Sequence, residues 1–336
     1  MRLRLGKLER KILEKIVFKK LGEKRRDVLV GPRFGEDGSV IKTWSGDMIV
    51  AAMDPITGSG SMLGWLAVNV NANDVAVMGG EPRWFSTTLL IPENAKVGDI
   101  ERIVSEIHLA AKKLGVAVIT GHSEITPGIM NPIIVGHMLG KLVSRKPIRS
   151  SDARAGDLIV MVKTAGIEGT AILSTDFTEI LKGRVSEEIL ERAKRFFRKI
   201  SVVEDALKLA KRNICRSMHD PTEGGILGGV YEIAEASKLS FILYEDKVPV
   251  AVETKIICNA LNCDPLKLIA SGALIASIPE ENLRKAKRII PNLRVIGRFR
   301  HRKMGNILVR RDGTEEKIKD TVRDELWRLI EEFKPR

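Results

Sequence analysis

Apolar residues recur along the first half of the chain in two different periods, which predict strands and helices in alternation. A helical face is present at 7–21, and 99–114 is an amphipathic helix with Asp99 as its N-cap and Gly115 as its stop. The segment 61–78 is small and apolar, as in a buried helix. Strand-like runs lie at 27–31, 39–44, 47–53, 83–91, 116–120 and 132–142.

The second half continues the alternation, which indicates an α/β fold. After a short helix that opens at Gly166–Gly169, helices are predicted at 186–212, 224–237, 250–261, 280–290 and 320–333. Strands are predicted at 157–163, 240–244, 272–278, 293–298 and 306–310. The polar segment 144–156 has no core period and indicates a link. Because 336 residues suffice for two cores, we expect domains at 1–148 and 149–336.

Composition narrows the class of protein. No apolar run approaches the roughly 20 residues of a membrane span, and the basic N-terminus lacks a signal-peptide core, so we expect a cytoplasmic protein. The three cysteines are an odd number with no C-x-x-C pair, which predicts neither disulfides nor a zinc site. The net charge of +13 is spread over helices and favours a solvated surface; attraction of phosphate-bearing small molecules is a lesser alternative, and a nucleic-acid partner is not expected.

The richest candidate chemistry lies between a strand and a buried helix. Asp54 ends an apolar run, a turn with Gly58, Gly60 and several hydroxyls follows, and Asp74 lies further along. A glycine-rich turn that opens a helix presents N–H groups to a phosphate. Carboxylates beside it are typical ligands of a magnesium ion that shares phosphates with the protein. The pattern indicates a nucleotide site, although a strand-to-helix turn without a ligand remains an alternative.

Several motifs in a fixed order add a family resemblance. They are G-E-D-G at 35–38, N-D-x-x-x-x-G-x-x-P at 73–82, T-G-H-S-E at 120–124, D-P-T-x-G-G at 220–225 and S-G-A-L at 271–274. In this order they resemble the superfamily of aminoimidazole ribonucleotide (AIR) synthetase, the hydrogenase maturation protein HypE, selenophosphate synthetase and thiamine-monophosphate kinase. The resemblance implies a two-domain AIR-synthetase-like α/β fold, in which an N-terminal sheet domain forms the interface of a homodimer. It also implies ATP and Mg²⁺ as cofactors.

Site residues follow from matching those motifs. The resemblance implies metal ligands at Asp37, Asp54 and Asp74. It implies nucleotide contacts at Gly58, Ser59, Gly60, Asn73, Thr222, Gly224 and Gly225. It implies catalytic roles for His122, Glu124 and Asp220. For each carboxylate the alternative is a helix cap or a turn former.

His122 departs from the family pattern, because the best-known members have an acidic residue at that position. A neutral imidazole is a poor magnesium ligand. We therefore expect His122 to contact phosphate or to transfer protons, with Glu124 as a replacement carboxylate. The alternative for both residues is a supporting hydrogen bond.

The function that the resemblance implies is ATP- and magnesium-dependent activation of a substrate oxygen, with a phosphorylated or carboxamide-type small molecule as substrate. The alternative is a non-catalytic, nucleotide-binding regulatory or scaffold subunit. HypE carries a carbamoyl group on a C-terminal cysteine, whereas no cysteine follows Cys263 in this sequence. Selenophosphate synthetase depends on an N-terminal cysteine or selenocysteine, and none precedes Cys215. We therefore expect no cysteine-borne carbamoyl transfer.

Overall fold

The strands of the protein form two sheets, each with its own helices. The computed structural model describes residues 5–333. Within that part of the chain the first sheet has six strands, in the order β1-β2-β3-β6-β4-β5, and the second has seven, in the order β13-β12-β9-β11-β7-β10-β8. The predicted α/β architecture with an N-terminal and a C-terminal sheet domain is confirmed.

The first sheet is antiparallel apart from the parallel pair β4–β5. Its strands are β1 (Val28–Val30), β2 (Ser39–Lys42), β3 (Met48–Ile56), β4 (Gly80–Ile91), β5 (Ala117–Ile125) and β6 (Ile133–Leu142). Its helices are α1 (Arg10–Ile12), which continues as a π-helical turn over Leu13–Val17, α2 (Leu63–Val77) and α3 (Val97–Leu114).

Helix α2 occupies the centre of this domain. Nearly all of its residues are buried, between the sheet on one side and α3 and α7 (Val203–Lys211) on the other. Alternate residues of β3, such as Val50 and Ala52, face α2 and are buried. Their neighbours face the opposite way, and Met53 is 61% exposed. The sheet therefore has one covered face and one open face.

The second sheet is antiparallel apart from the pair β12–β9. Its strands are β7 (Leu158–Val162), β8 (Ser217–His219), β9 (Leu239–Tyr244), β10 (Leu274–Ile278), β11 (Arg294–His301), β12 (Ile307–Val309) and β13 (Glu315–Lys317). Besides α7, its helices are α4 (Ile167–Asp176), α5 (Thr178–Leu181), α6 (Glu187–Lys194), α8 (Gly225–Ala236), α9 (Val252–Ala260), α10 (Leu283–Ile289) and α11 (Glu325–Phe333). No helix within residues 5–333 is both long and apolar enough to cross a bilayer.

Some predicted elements differ from those observed. The first helix is regular only from Arg10, and α3 begins at Val97, so Asp99 is not its N-cap. Asp99 instead accepts the N–H of Lys96 from the third helical position, while Gly115 ends the helix with a left-handed φ of +68°, as expected.

The predicted helix 186–212 is divided into α6, a 3₁₀ turn at Arg195–Lys199, and α7. Carbonyl groups near the break accept hydrogen bonds from the side chains of Lys163 and Asn73, which come from other parts of the chain. The short strands β8 and β13 were not predicted.

Candidate functional site

Four of the predicted acidic residues lie close together where the two domains meet. Asp37 precedes β2, Asp54 is near the end of β3, Asp74 is on the last turn of α2, and Asp220 follows β8. The charges of Asp54, Asp37 and Asp220 all act on Asp74. The structure therefore brings residues from both domains into one acidic cluster.

Desolvation raises the pKa of these carboxyl groups. It raises the pKa of Asp54 to about 6 and that of Asp220 to about 8, and it holds the pKa of Asp74 well above its usual range. Repulsion between neighbouring carboxylates raises all three further. The cluster therefore has a strong electrostatic preference for a cation.

A buried histidine fixes the position of Asp37. The Nδ1 atom of His219 lies 2.6 Å from a carboxylate oxygen of Asp37, and its Nε2 atom lies 3.0 Å from Glu232 on α8. Desolvation opposes the charge on the imidazole, but the two carboxylates outweigh it and raise the pKa of His219 to about 10. His219 is therefore an imidazolium that donates from both nitrogens, and it links β8, α8 and the segment before β2.

Two asparagines on α2 support the other carboxylates. Asn71 accepts the backbone N–H of Asp54 at 2.8 Å and donates back to its carbonyl at 3.2 Å. Asn73 is fully buried, and its amide donates to Asp220 at 2.9 Å and accepts the N–H of Val202 at 2.8 Å. Asn73 thus holds the two domains together at the cluster; its predicted contact with nucleotide stays a prediction.

Open space lies beside the cluster. A cleft of about 610 Å³ is lined by residues that include Asp37, Asp54 and Glu232. A second cleft of about 630 Å³ is lined by Glu223, Glu232 and Trp327 among others. Lys7 lines both clefts. Each volume is typical of a site for a small organic ligand.

The glycine-rich turn after β3 is closed by a carboxylate of the same chain. Asp176, at the end of α4, accepts the N–H of Gly60 at 2.7 Å and the hydroxyl of Ser61 at 3.0 Å. Ser59 and Gly60 line a separate hollow of about 230 Å³, and Gly58 packs against Trp327. The structure thus places the turn near the cleft of the acidic cluster without making it part of that cleft.

The second glycine turn is closed in the same way. Asp324 accepts the N–H of Leu326 at 2.7 Å, which caps α11, and it also accepts the N–H of Gly224, the N-cap residue of α8, at 2.7 Å. Asp324 is buried, and desolvation raises its pKa well above the usual range. Gly225 follows in the first turn of α8, and Thr222 is half-buried just before it.

His122 and Glu124 lie apart from the acidic cluster. Both are on β5, where they pair with Thr88 and Leu90 of β4. Their side chains are 67% and 47% exposed, and the Nε2 atom of His122 is 3.2 Å from Glu124. Asp54 lies in β3, separated from β5 by two intervening strands. Within one chain, these two predicted catalytic residues therefore contact each other and not the metal-ligand candidates.

Other charged residues of the site were missed by sequence reasoning. Glu232 lies within the mainly apolar helix α8, and Glu168 lies in the buried first turn of α4. Both positions were a usable signal, because a charge on a buried face needs a partner. Lys7, Asp176 and Asp324 gave no such signal. Asp176 and Asp324 have polar neighbours, Lys7 lies near the start of the predicted first helix, and only the tertiary fold brings the three residues to the cluster or the turns.

The carboxylates of the cluster fit a magnesium ion that arrives with phosphates. Their donor atoms are all oxygen, which Mg²⁺ prefers, and their pKa values are raised by burial and by repulsion from neighbouring carboxylates, which a bound cation would relieve. Among residues 5–333, no three acidic, histidine or cysteine side chains converge as a preformed metal site. Since Mg²⁺ commonly takes one or two carboxylates and completes its shell with water and substrate phosphates, the two observations agree.

Comparison with known families covers most of the chain. Residues 35–142 match the model described as AIR synthase related protein, N-terminal domain. Residues 154–310 match the model described as AIR synthase related protein, C-terminal domain.

The matching relatives include hydrogenase expression/formation proteins, HypE and a thiamine-monophosphate kinase. A putative hydrogenase expression/formation protein of Methanocaldococcus jannaschii is 28% identical over 295 residues, covering 85% of this chain and 84% of that protein. The carbamoyl dehydratase HypE of Rhizobium leguminosarum is 28% identical, covering 74% of this chain and 71% of that protein. A thiamine-monophosphate kinase of Pyrococcus horikoshii is 31% identical, covering 74% and 78%.

Solved structures share the fold. HypE in a HypE–HypF complex superposes with a TM-score of 0.74 at 22% identity, covering 92% of this chain and 99% of that one. HypE in complex with ATP gives 0.71 at 21% identity, covering 94% and 96%. The protein AaThiL complexed with AMPPCP and TMP gives 0.74 at 20% identity, covering 96% and 99%.

Proposed function

The chain belongs to the AIR synthase related family, and from that premise we propose that it binds ATP with Mg²⁺ and activates an oxygen of a second substrate by phosphoryl transfer. The acidic cluster carries the proposal. Carboxylates from both domains are held beside a cleft of about 610 Å³, with their pKa values raised by burial and mutual repulsion. A divalent cation bridging to phosphates relieves that repulsion.

Each residue of the cluster has a defined role in this proposal. Asp54 and Asp37 line the cleft and would hold the cation, and the buried Asp74 would add its negative charge to theirs. His219 keeps Asp37 in place, and Asn73 keeps Asp220 in place. When bound, Mg²⁺ would offset negative charge on the phosphates during transfer. The side chains of this chain position the nucleotide and restrict water at the cleft.

For the second substrate we propose a small molecule with a carboxamide or phosphate group. Relatives named carbamoyl dehydratase support the first, since removing water from a carbamoyl group requires an activated carbonyl oxygen. The relatives named thiamine-monophosphate kinase, and AaThiL with TMP bound, support the second. In both cases an oxygen of the substrate receives the phosphoryl group, so the residues that bind ATP would position its phosphates for the same transfer.

We also propose that the protein is a homodimer that covers the open face of the first sheet. All nine residues of β5 are exposed, and β5 is at the edge of its sheet. Apolar side chains on the same open face include Ile41, Met53 and Trp84, which are 39%, 61% and 37% exposed. An exposed edge strand beside an apolar face favours pairing with a second chain.

Thermal unfolding with Mg-ATP tests the nucleotide proposal. A ligand that binds only the folded protein stabilises it by about 2.7 kcal/mol at one hundred times its Kd. Asp54→Asn and Asp74→Asn keep the shape of the side chain but remove the negative charge, so both variants should lose most of the Mg-ATP stabilisation. Asp47→Asn is the control, because Asp47 is half-exposed and pairs with Lys141 outside the cluster. If both cluster variants respond to Mg-ATP like the parent, the metal assignment is wrong.

One observation favours a non-catalytic alternative, in which the protein binds nucleotide as a regulatory or scaffold subunit. His122 and Glu124 do not reach the acidic cluster within one chain, so β5 supplies no acid–base pair to the cluster. Binding of Mg-ATP without phosphate release, across carboxamide and phosphorylated substrates, would support the alternative. Turnover with any of them would support the enzyme.

A further inference from the structure

The N-terminal segment places a lysine among the carboxylates of the cluster. The Nζ atom of Lys7 lies 3.2 and 3.3 Å from the two carboxylate oxygens of Glu232. The backbone N–H of Lys7 donates to Glu223 at 2.6 Å. Asp54 and Asp37 are close enough for their charges to act on the ammonium group. One residue therefore offsets negative charge from both domains.

The sequence allows this close approach because glycine precedes the lysine. Gly6 has a φ of +96°, in a region of backbone conformation that residues with a side chain rarely adopt. A Cβ atom at this position would lie 2.6 Å from a carboxylate oxygen of Glu223 and 2.8 Å from the ring of Trp327. The Gly6–Lys7 dipeptide is thus fitted to its place between α8 and α11.

The contact is also one that can open. Lys7 lines both clefts, and 51% of its side chain is exposed, whereas the Glu232 side chain is only 6% exposed. The ammonium group can move into solvent by rotation of its own side chain, while Glu232 stays bonded to His219. The lysine is the more exposed member of the pair.

We propose that Lys7 is a tethered substitute for the metal ion, which neutralises the acidic cluster in the free protein and competes with the divalent cation for it. The inference rests on the proposed nucleotide function and deepens it. An ammonium group and Mg²⁺ a few ångströms apart repel each other, so binding of the metal requires Lys7 to turn away from Asp54 and Asp37. The cost of displacing it weakens metal binding.

The test compares Lys7→Met with the parent, using Mn²⁺ as an oxygen-seeking reporter for Mg²⁺. Methionine keeps most of the side-chain length and removes the charge. Lys15→Met is the matched control, since Lys15 is an exposed lysine of the π-helical turn after α1 and lines neither cleft. Mn²⁺ binding is measured by electron paramagnetic resonance, with and without AMPPCP, and thermal unfolding is measured in EDTA and in rising Mg²⁺.

Two results are expected from Lys7→Met and not from Lys15→Met. In EDTA the variant should melt several degrees below the parent, because the cluster has lost its counter-charge, and Mg²⁺ should restore much of the difference. Its Mn²⁺ affinity should rise by about tenfold, since the competing charge is gone.

Other outcomes overturn the inference. Unchanged Mn²⁺ affinity, with the parent binding normally, means that Lys7 does not compete, and the proposed function survives. Weaker binding of AMPPCP and Mn²⁺ in the variant makes Lys7 a ligand of the nucleotide and not a substitute for the metal. If parent and variant both fail to bind Mn²⁺ with AMPPCP, the proposed function fails, and there is no metal ion with which Lys7 could compete.

Discussion

Glu168 provides a sharp electrostatic prediction outside the metal cluster. It lies in the first turn of α4 and is 4% exposed, and its Oε2 atom has no hydrogen-bond partner among residues 5–333. Desolvation raises its pKa from an ordinary 4.5 to about 7; Ser271 lowers the pKa in part, and the charges of Glu223 and Asp54 raise it. The carboxyl group is therefore stable when neutral and costly when ionised.

The size of the effect follows from the two pKa values. The folded protein holds the proton of Glu168 up to about pH 7, while the unfolded chain releases it near pH 4.5. Stability is thus fully present below pH 4.5 and declines as the pH rises through 7. At about 1.4 kcal/mol per pH unit, the ionised group destabilises the folded state by about 3 kcal/mol at pH 8.

The substitution Glu168→Gln should remove this dependence, because glutamine has the same shape and no charge. In urea unfolding followed by tryptophan fluorescence, we expect the variant to exceed the parent by less than about 1 kcal/mol at pH 5 and by about 3 kcal/mol at pH 8. Glu101→Gln, at an exposed position of α3, is the control and should follow the parent at both pH values. A difference between Glu168→Gln and the parent that does not change from pH 5 to pH 8 would refute the reasoning.

Two further predictions concern assembly and cysteine chemistry. The parent should sediment as a dimer at micromolar concentration, and Ile119→Lys on β5, at a residue that is 52% exposed, should weaken that dimer; a parent that sediments as a monomer contradicts the proposed interface. With ATP and a carbamoyl donor, intact-mass measurement should find no thiocarboxamide on Cys215, Cys258 or Cys263. Burial raises the pKa of Cys215 to about 12, hydrogen bonding to Cys263 raises that of Cys258, and Cys263 is itself half-buried. An adduct on any of the three thiols would show that it is a working nucleophile.

The sequence was sufficient to predict the architecture because the buried residues of a helix or strand recur with the period of that element. Helix α2 was predicted at 61–78 and is found at Leu63–Val77, since its apolar composition suits only a helix surrounded by protein. The ordered motifs were sufficient for the family resemblance, which the two family models confirm.

The periodicity of apolar residues failed to predict the full length of a strand in which buried and exposed residues do not alternate. Strand β5 continues through His122 to Ile125, whereas the sequence predicts a strand only over 116–120. All of its residues are exposed in the single chain, so neither face of the strand has an apolar pattern.

The charged surroundings of the site were beyond sequence reasoning for a different reason. Glu232 is 195 residues from Asp37, and His219 joins the two through hydrogen bonds that only the packed fold creates. The glycine turns were recognised, but their partners Asp176 and Asp324 were not, because a capping carboxylate can come from any part of a chain.

The carboxylates already seated on the two glycine turns bear on selectivity among anions. Sulfate or inorganic phosphate approaching Gly60 or Gly224 would have to displace Asp176 or Asp324, and would exchange one set of charge-assisted hydrogen bonds for another of similar strength. Such an exchange has little driving force. A ligand with a second point of attachment, such as a polyphosphate anchored through a metal at Asp54, gains the additional binding free energy that displacement requires. If the proposed metal site is correct, the turns would therefore disfavour small anions and admit an anion that is already anchored through the metal at the acidic cluster.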